Sequence, residues 1–482
     1  MSLPGPVFYI GLLLATAVLL QVFRRLTWLM AWLATGVTAT LGGLMAFADF
    51  EVPISFQVHT VNLGEPLNVL GRIMVIEPVD RLPLAFICFT AAGLFLIAWR
   101  LLPHSNFYPA GLAMVALLSG ALMVEQVVYA ALLVVMAALF GIFPLYEPVT
   151  GKDHIHYGGR PKGGVQYMAY IALALPGLMI THLLLEQASL FPNDEGLLRA
   201  STVLLGLSFA LLLGAVPFQS WLSTVAMDGS PPVVTFLFTV NLGTVWFLLL
   251  AYLDTYQWLG EQASLASLFS GVGLTMIVVG GVLAAAHHRL GRLVGYVTLV
   301  DNGAMLVALG TQQVSGLALT VLILMARPLA LGLMTLGLDG LRRYGEGSDR
   351  LESLRGAAWI TPWRTLAFVV GGIAMAGFPL TLGFSIRWGF YRLLTQSNLF
   401  VAIAALSGSA GMMMGMVTAL RVFLAPAPET VTGERVGGKH DDPVVLVLIL
   451  VLVIATTGLG LFPQTLGKLA MQVAEGFTFF TT

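Results

Sequence analysis

Successive apolar stretches of span length dominate this chain and limit what it can fold into. A helix needs roughly 20 apolar residues to cross the hydrocarbon core of a bilayer. The sequence is 58% hydrophobic and 10% charged, whereas a soluble domain carries about 25% charged residues, so lipid must cover much of its surface. We therefore predict an all-α polytopic membrane protein. Fourteen spans are expected, at residues 6–23, 26–48, 82–102, 107–124, 127–146, 165–190, 199–226, 231–253, 265–286, 292–311, 315–338, 363–396, 398–424 and 443–462.

The charge balance and the cysteine count exclude several classes of function. The net charge of −1 gives no indication of nucleic acid as a partner, whereas the apolar composition makes the lipid bilayer an expected one. The single cysteine, Cys88, excludes an internal disulfide and a CxxC metal site. His154 and His156 come nearest to a metal motif, but two histidines without other clustered ligands more often belong to a solvated loop. We expect no metal and no cofactor in this chain.

Basic residues are distributed unevenly between the two sets of loops. If the N-terminus faces outside, the inner loops carry 16 of the 23 Lys and Arg residues, the outer segments carry five, and Arg327 and Arg387 fall within spans. Cytoplasmic loops are enriched in Lys and Arg. This bias predicts a multi-pass protein of the inner (cytoplasmic) membrane with both termini on the outer, periplasmic side.

The spans and loops divide the chain into three regions. Residues 1–106 hold spans 1–3 and an outer loop at 49–81, where the alternating "SFQVHTV" and the apolar "RIMVI" predict a β-hairpin. Residues 107–425 form a core of ten spans. Residues 426–482 supply a loop, span 14 and a C-terminal tail.

Two spans contain proline and glycine breaks. "AVPFQSWLSTVAMDGSPP" places Pro217 in span 7, and "AGFPLTLGF" places Pro379 and Gly383 in span 12. Proline removes a helical hydrogen bond, and freed backbone groups in a membrane need other protein or a wet cavity. Simple tolerance of proline by membrane helices is the alternative. Because an odd number of helices inverts the second copy, breaks five spans apart favour an inverted repeat of spans 4–8 (107–253) and 9–13 (265–424), each with one broken helix.

Four motifs in register resemble a known family. "PFQSWLSTVAMDGSPPVVTFLF" is similar to a signature of the antiporter-like membrane subunits of respiratory complex I, which Mrp-type cation/proton antiporters and membrane-bound hydrogenases share. "GFPLTLGFSIRW", "HRLGRLVGYVTLVDNG" and "LESLRG" resemble three further family motifs in the same order. The resemblance covers about residues 110–425. It implies an antiporter-like subunit of the M, N or L type that assembles with sister subunits in a multi-subunit membrane complex.

The resemblance also implies where translocated protons would pass. In that family a polar axis at mid-membrane contains a glutamate in helix 5, lysines in helices 7 and 8, and a lysine or glutamate in helix 12. Here the two lysine positions fall on Leu212 and Gly243, with Asn241 the nearest polar residue. The position of the glutamate depends on the alignment register. Counting back from the end of helix 5 places it on Val135, while Glu125 falls in the turn between spans 4 and 5. None of the chain's four lysines lies between residues 163 and 438.

The remaining intramembrane charges are candidates for such an axis. The charged position of helix 12 falls on Arg387, and an ionisable residue at that depth is a functional candidate by default. Arginine does not release its proton as lysine can, and a fixed structural ion pair is the alternative role. Asp301 and Arg327 lie at similar distances from the turn between spans 10 and 11, so we predict that they pair. His182 in span 6 is either a member of the proton path or hydrogen-bonded packing.

Three functions remain open from the sequence. The first is an antiporter-like membrane-arm subunit of a redox-driven, complex I-type complex such as an NADH-quinone oxidoreductase, with an impaired or lost proton channel. The second is an Mrp-type cation/proton antiporter subunit. The third is a non-pumping scaffold of an ion or inorganic-carbon uptake complex. In each case the redox chemistry, where present, belongs to other subunits.

Overall fold

The computed structural model describes most of the chain, with interruptions in loops and at the ends. The residues described are 2–23, 26–48, 54–56, 59–69, 71–102, 106–150, 156–157, 161–191, 194–260, 262–426, 442–477 and 479. His154, parts of the 49–81 loop and residues 427–441 lie outside them. The described chain is almost entirely helical, which confirms the predicted fold class.

Helices occupy all fourteen predicted spans in the described residues. Twelve are long and apolar enough to cross a membrane, and two shorter apolar helices fill span 4 and the first half of span 12. The helices of spans 1–6 are Gly5–Val22, Thr27–Phe47, Arg81–Leu101, Phe107–Met123, Val127–Tyr146 and Pro161–Leu190. Those of spans 8–11 are Pro231–Thr255, Ala263–Ala286, Leu290–Leu309 and Val314–Tyr344. Spans 13 and 14 are Leu399–Leu424 and Pro443–Leu461.

Spans 7 and 12 are each interrupted, as the sequence predicts. Span 7 runs as Glu195–Leu213, turns at Gly214 with a φ of 66°, and resumes at Ser220–Asp228 after a cis Val216–Pro217 bond. Span 12 runs as Pro362–Ala376 and resumes at Leu382–Ser397. Its break begins at Gly377, with a φ of 88° that favours glycine.

Proline alone does not explain these interruptions. Pro176 in span 6 and Pro328 in span 11 lie inside continuous helices. At Pro217 and Pro379 a nearby glycine adopts a left-handed conformation, which redirects the chain. The simpler interpretation, that membrane helices tolerate proline, therefore applies to spans 6 and 11 but not to spans 7 and 12.

Span 8 contains a third irregularity that the sequence did not reveal. A π-helical turn at Leu237–Asn241 interrupts the α-helical hydrogen bonding between Pro231–Phe236 and Leu242–Thr255. Such turns are rare and are found mostly as single turns at functional sites. No proline or glycine lies in this turn to predict it.

The predicted β-hairpin of the 49–81 loop differs in its pairing. The "SFQVHTV" stretch is divided between β2 (Ile54–Phe56) and β3 (His59–Asn62), which pair antiparallel with each other. β1 (Ser2–Pro4) joins β3 in parallel. The "RIMVI" stretch supplies β5 (Arg72–Met74), whose antiparallel partner is β4 (Leu67–Val69). Alternation identified strand residues but did not identify their partners.

A strand pair, an amphipathic helix and four single helical turns complete the described structure. β6 (Val149–Thr150) and β7 (His156–Tyr157) pair in the loop between spans 5 and 6. An amphipathic helix, Gln464–Glu475, follows span 14 and buries Ala470, Val473 and Ala474. Short single helical turns lie at Pro78–Asp80, Gln257–Gly260, Leu351–Leu354 and Ala357–Ile360.

The protein core is centred on spans 8 and 10. Every residue in the most apolar 18-residue window of span 8 is buried, and 94% of those in span 10 are, against 17% in span 14. Most of span 14 therefore faces away from the rest of this chain, whereas spans 8 and 10 are surrounded by other helices. The predicted polar residues of span 10 lie in this protein-enclosed centre.

Candidate functional site

Asp301 of span 10 is held between two arginines from different helices. Its Oδ2 accepts a hydrogen bond from Nε of Arg327 at 2.8 Å, and its Oδ1 accepts one from Nη2 of Arg387 at 3.2 Å. The three side chains are 0–6% exposed. The predicted Asp301–Arg327 pair is present. Its connection to Arg387 was not predicted.

Arg327 extends this ion pair toward spans 7 and 8. Its Nη2 donates to Oδ1 of Asn302 at 2.8 Å, and its Nη1 donates to the carbonyl of Phe238, in the π-helical turn, at 3.4 Å. Nδ2 of Asn302 in turn donates to the carbonyl of Leu213 at 3.0 Å. Leu213 is the last residue before the break in span 7. The helix irregularities thus present carbonyls that these buried donors use.

Arg387 makes the corresponding contact at the break in span 12. Its Nε and Nη2 lie 3.4 and 3.3 Å from the carbonyl oxygen of Met375, in the last turn before the break. Glycines make this approach possible. A Cβ on Gly377 would lie 2.5 Å from Cγ of Arg387, and a Cβ on Gly383 would lie 1.7 Å from the carbonyl oxygen of Ala374.

The charges of this cluster do not balance. Two guanidinium groups, which stay protonated in proteins, face one carboxylate, so the cluster formed by Asp301, Arg327 and Arg387 has a formal charge of +1. No second acidic side chain contacts either guanidinium among the described residues. Such a cluster fixes charge and geometry, but its arginines do not exchange protons.

The positions that the family resemblance assigns to a glutamate and two lysines add no charge here. Leu212 is buried at the end of the first half of span 7. A Cβ on Gly243 would contact Phe86 and Leu324, and Oδ1 of the neighbouring Asn241 has no hydrogen-bond partner among the described residues. Val135 is half-buried in span 5, and Glu125 is exposed in the turn that precedes it.

His182 belongs to a separate polar group. Its Nδ1 lies 3.0 Å from the hydroxyl of Tyr256, and its Nε2 lies 3.2 Å from a carboxylate oxygen of Glu186. Burial, with a smaller effect of the Glu186 carboxylate, raises the pKa of the Tyr256 phenol to about 12. The structure thus gives His182 hydrogen-bonded partners and does not join it to Asp301. A role in proton transfer stays a prediction.

Sequence reasoning missed Asn302 and the carbonyls that complete the network. Asn302 follows Asp301 directly in "LVDNG", so an amide next to a buried acid was the available signal. The carbonyls of Leu213, Phe238 and Met375 carry no side-chain signature. They become available because of where the helices are interrupted, which only the fold shows.

Comparison with known proteins relates this architecture to one family and to several membrane complexes. The family model for "NADH:quinone oxidoreductase/Mrp antiporter, TM" matches residues 168–413. The chain is 27% identical over 277 residues to NADH-quinone oxidoreductase subunit N of Methylococcus capsulatus, and 29% identical over 293 residues to that of Ectopseudomonas mendocina. These matches cover 57% and 56% of this chain, and the chain spans about half, 55%, of each relative's length.

Solved structures share the fold across nearly the whole chain. A chain of the Mrp complex from Dietzia sp. DQ12-45-1b superimposes with a TM-score of 0.80 at 16% identity, covering 98% of this chain and 97% of that one. A chain of the archaeal membrane-bound sulfane sulfur reductase superimposes with a TM-score of 0.76 at 15% identity, covering 98% of this chain and 97% of that one. A chain of respiratory complex I from Thermus thermophilus with bound NADH superimposes with a TM-score of 0.76 at 17% identity, covering 98% of this chain and 100% of that one. At these identities the likeness concerns the fold alone.

Proposed function

This chain belongs to the NADH:quinone oxidoreductase/Mrp antiporter transmembrane family, and we propose that it serves in the membrane arm of a redox-driven complex without a proton channel of its own. That it is an antiporter-like membrane subunit follows from the family match and the shared fold. The parent complex and the lost channel are the proposed part. The coupled ion and the redox partner would be handled by other subunits.

The sequence relatives support the redox-driven complex. Both curated relatives are subunits N of NADH-quinone oxidoreductases. The fold does not separate this function from cation/proton antiport, since Mrp and complex I chains both superimpose on it. The subunits that accompany this chain therefore distinguish the redox-driven complex from the two alternatives, an Mrp-type antiporter and an ion uptake complex with a non-pumping scaffold.

One observation carries the proposal of a lost channel: the central acid is held by two arginines and by no lysine. A buried lysine can change its protonation when a neighbouring charge changes. Arginine cannot, and both carboxylate oxygens of Asp301 are bonded to guanidinium groups, so the acid is held in two buried ion pairs. The cluster therefore fixes spans 10, 11 and 12 together instead of relaying protons.

We infer the surroundings of the chain from the same family. Its partners would be other membrane subunits, including sister antiporter-like subunits. Its termini would lie on the outer side of the inner membrane, as the distribution of basic residues predicts.

Affinity purification tests the parent complex. A tagged full chain, extracted in mild detergent, is expected to co-purify with subunits that carry flavin or iron–sulfur absorbance and quinone reductase activity. Recovery with small antiporter subunits alone would instead favour the Mrp-type function.

Proton transport tests the lost channel. Vesicles with the intact complex are expected to move the same number of protons per electron pair when Arg387 is changed to Gln. Arg392→Gln changes an exposed arginine in the same second half of span 12. It is the matched control for assembly and electron transfer. A lower ratio in Arg387→Gln alone, at an unchanged rate of electron transfer, would show that protons do pass through this subunit.

A further inference from the structure

The excess positive charge of the central cluster faces a small cavity at the break in span 12. The cavity has a volume of about 30 Å³ and lies between spans 11, 12 and 14. Asp301, Arg327 and Arg387 line it together with Thr456 of span 14, and the rest of its lining is mostly apolar. A net charge inside a membrane protein is unfavourable unless a counter-charge accompanies it.

Arg387 retains hydrogen-bonding capacity on this side. Its Nη2 donates to Asp301, and its Nε and Nη2 make long contacts with the Met375 carbonyl. Its Nη1, which carries two N–H groups, makes no hydrogen bond with the described residues. All three nitrogens of Arg327, in contrast, have acceptors.

Thr456 supplies an independent observation. Its side chain is 2% exposed, yet its hydroxyl has no hydrogen-bond partner among the described residues. Threonines elsewhere in the helices, such as Thr298 and Thr335, donate to the carbonyl four residues earlier. A buried hydroxyl without a partner is costly, and this one lines the cavity that the arginines line.

We propose that this cavity binds one small monovalent anion of the halide class, with chloride the ion to test. The anion would accept hydrogen bonds from Nη1 of Arg387 and from the Thr456 hydroxyl, and it would cancel the formal charge of +1. Asp301 also lines the cavity, but both of its oxygens are already occupied by guanidinium N–H groups. The ion therefore binds at the opposite edge of Arg387 from the carboxylate.

The size of the cavity selects the class of ligand. One water molecule needs a cavity volume of about 10–15 Å³. This cavity, at about 30 Å³, therefore admits a bare halide and leaves little room for a tetrahedral oxyanion. Water alone would fill the space but would leave the charge uncompensated. The site does not depend on the proposed function, since it follows from charge and donors whether or not protons cross this subunit.

Anion-dependent thermal stability tests the site. The full chain in detergent is titrated with chloride, with gluconate replacing it to hold ionic strength constant. Unfolding is followed by labelling of Cys88, the chain's single cysteine, which is fully buried. We expect a saturable rise in Tm with chloride or bromide, as for any ligand that binds the folded state, and none with sulfate. A Tm that does not respond to chloride in the parent protein would overturn the proposal.

Two variants separate this site from general salt effects. Thr456→Val removes one hydrogen bond to the anion and is expected to raise the half-saturating chloride concentration about tenfold. Thr457→Val, at the adjacent position that does not line the cavity, should titrate as the parent does. Arg387→Gln should abolish the chloride response. Identical titrations for the two threonine variants would overturn the assignment, even if Arg387→Gln does not fold.

Discussion

The Arg387 guanidinium donates a hydrogen bond to the Asp301 carboxylate across 3.2 Å, although the residues are 86 positions apart in the chain. This contact attaches the second half of the broken span 12 to the buried span 10. Arg327 holds the other oxygen of the same carboxylate. The order of importance of the three charges can therefore be tested by removing them one at a time.

Arg327→Leu is expected to destabilise the fold more than Arg387→Leu. The first change removes the Nε bond to Asp301 and donors to Asn302 and Phe238, at a cost of ~3–5 kcal/mol. The second removes one bond to Asp301 and two long contacts with the Met375 carbonyl, and should cost about 1.5–3 kcal/mol. Denaturant unfolding followed by Cys88 labelling gives both values, with the exposed Arg392→Leu as control. Equal losses would contradict this ranking.

Asp301 and Arg387 should show strong coupling in a double-mutant cycle. Asp301→Asn removes the carboxylate that the two buried guanidinium groups share, and adding Arg387→Gln removes one of those groups. The double variant is therefore expected to be more stable than the sum of the single changes predicts, by about 0.5–3 kcal/mol. The measurement is the free energy of unfolding of all four proteins. Additive losses would show that the two charges do not interact.

The break in span 12 should depend on Gly383. A methyl group there would lie 1.7 Å from the carbonyl oxygen of Ala374, so Gly383→Ala must displace one half of the span from the other. We expect a loss of about 1–3 kcal/mol, the usual range for overpacking. Gly458→Ala in span 14, where a methyl group would have no neighbour within 4 Å, is the matched control and should change the stability little. Similar losses for the two glycines would mean that the break is not closely packed.

Acidification should destabilise the protein partly through His287, at the end of span 9. Partial burial, followed by the nearby Arg292, lowers the pKa of His287. Its Nε2 lies 3.1 Å from Nη1 of Arg292, so the neutral imidazole accepts that hydrogen bond. The unfolded chain then binds more protons than the folded one, and stability falls as pH drops below the ordinary histidine pKa of about 6.5.

The matched variants for this pH effect are adjacent. His287→Gln should reduce the decrease in Tm between neutral and mildly acidic pH, because it removes the titrating group. His288→Gln, at the exposed neighbouring position, should not reduce it. If His287→Gln lost stability on acidification as steeply as the parent, another group would be responsible.

Much of the fold was predictable because membrane helices obey simple rules of length and composition. Apolar stretches predicted the spans, and proline with glycine predicted the interruptions at Pro217 and Pro379. Counting residues from a shared turn also predicted that Asp301 and Arg327 pair, since neighbouring antiparallel helices place such positions at equal depth. These inferences needed only local sequence.

Contacts between distant helices were not predictable in this way. Nothing in the sequence around Arg387 specifies that span 12 packs beside span 10, so its bond to Asp301 came from the structure. The π-helical turn of span 8 lacks proline and glycine, and its free carbonyl at Phe238 has no sequence signal. The strand partners in the 49–81 loop were predicted wrongly for a related reason. Alternation shows which residues face each side of a strand, but it does not give the strand's register.

Asp301 and Asn302 are adjacent residues, yet their bonds reach the helix breaks of opposite repeats. Asn302 binds the carbonyl that ends the first half of span 7, and Asp301 binds the arginine that lies against the break in span 12. Two adjacent residues of span 10 thus connect the two interrupted helices by hydrogen bonds. We therefore expect a displacement of one interruption along the membrane normal to be transmitted to the other through span 10.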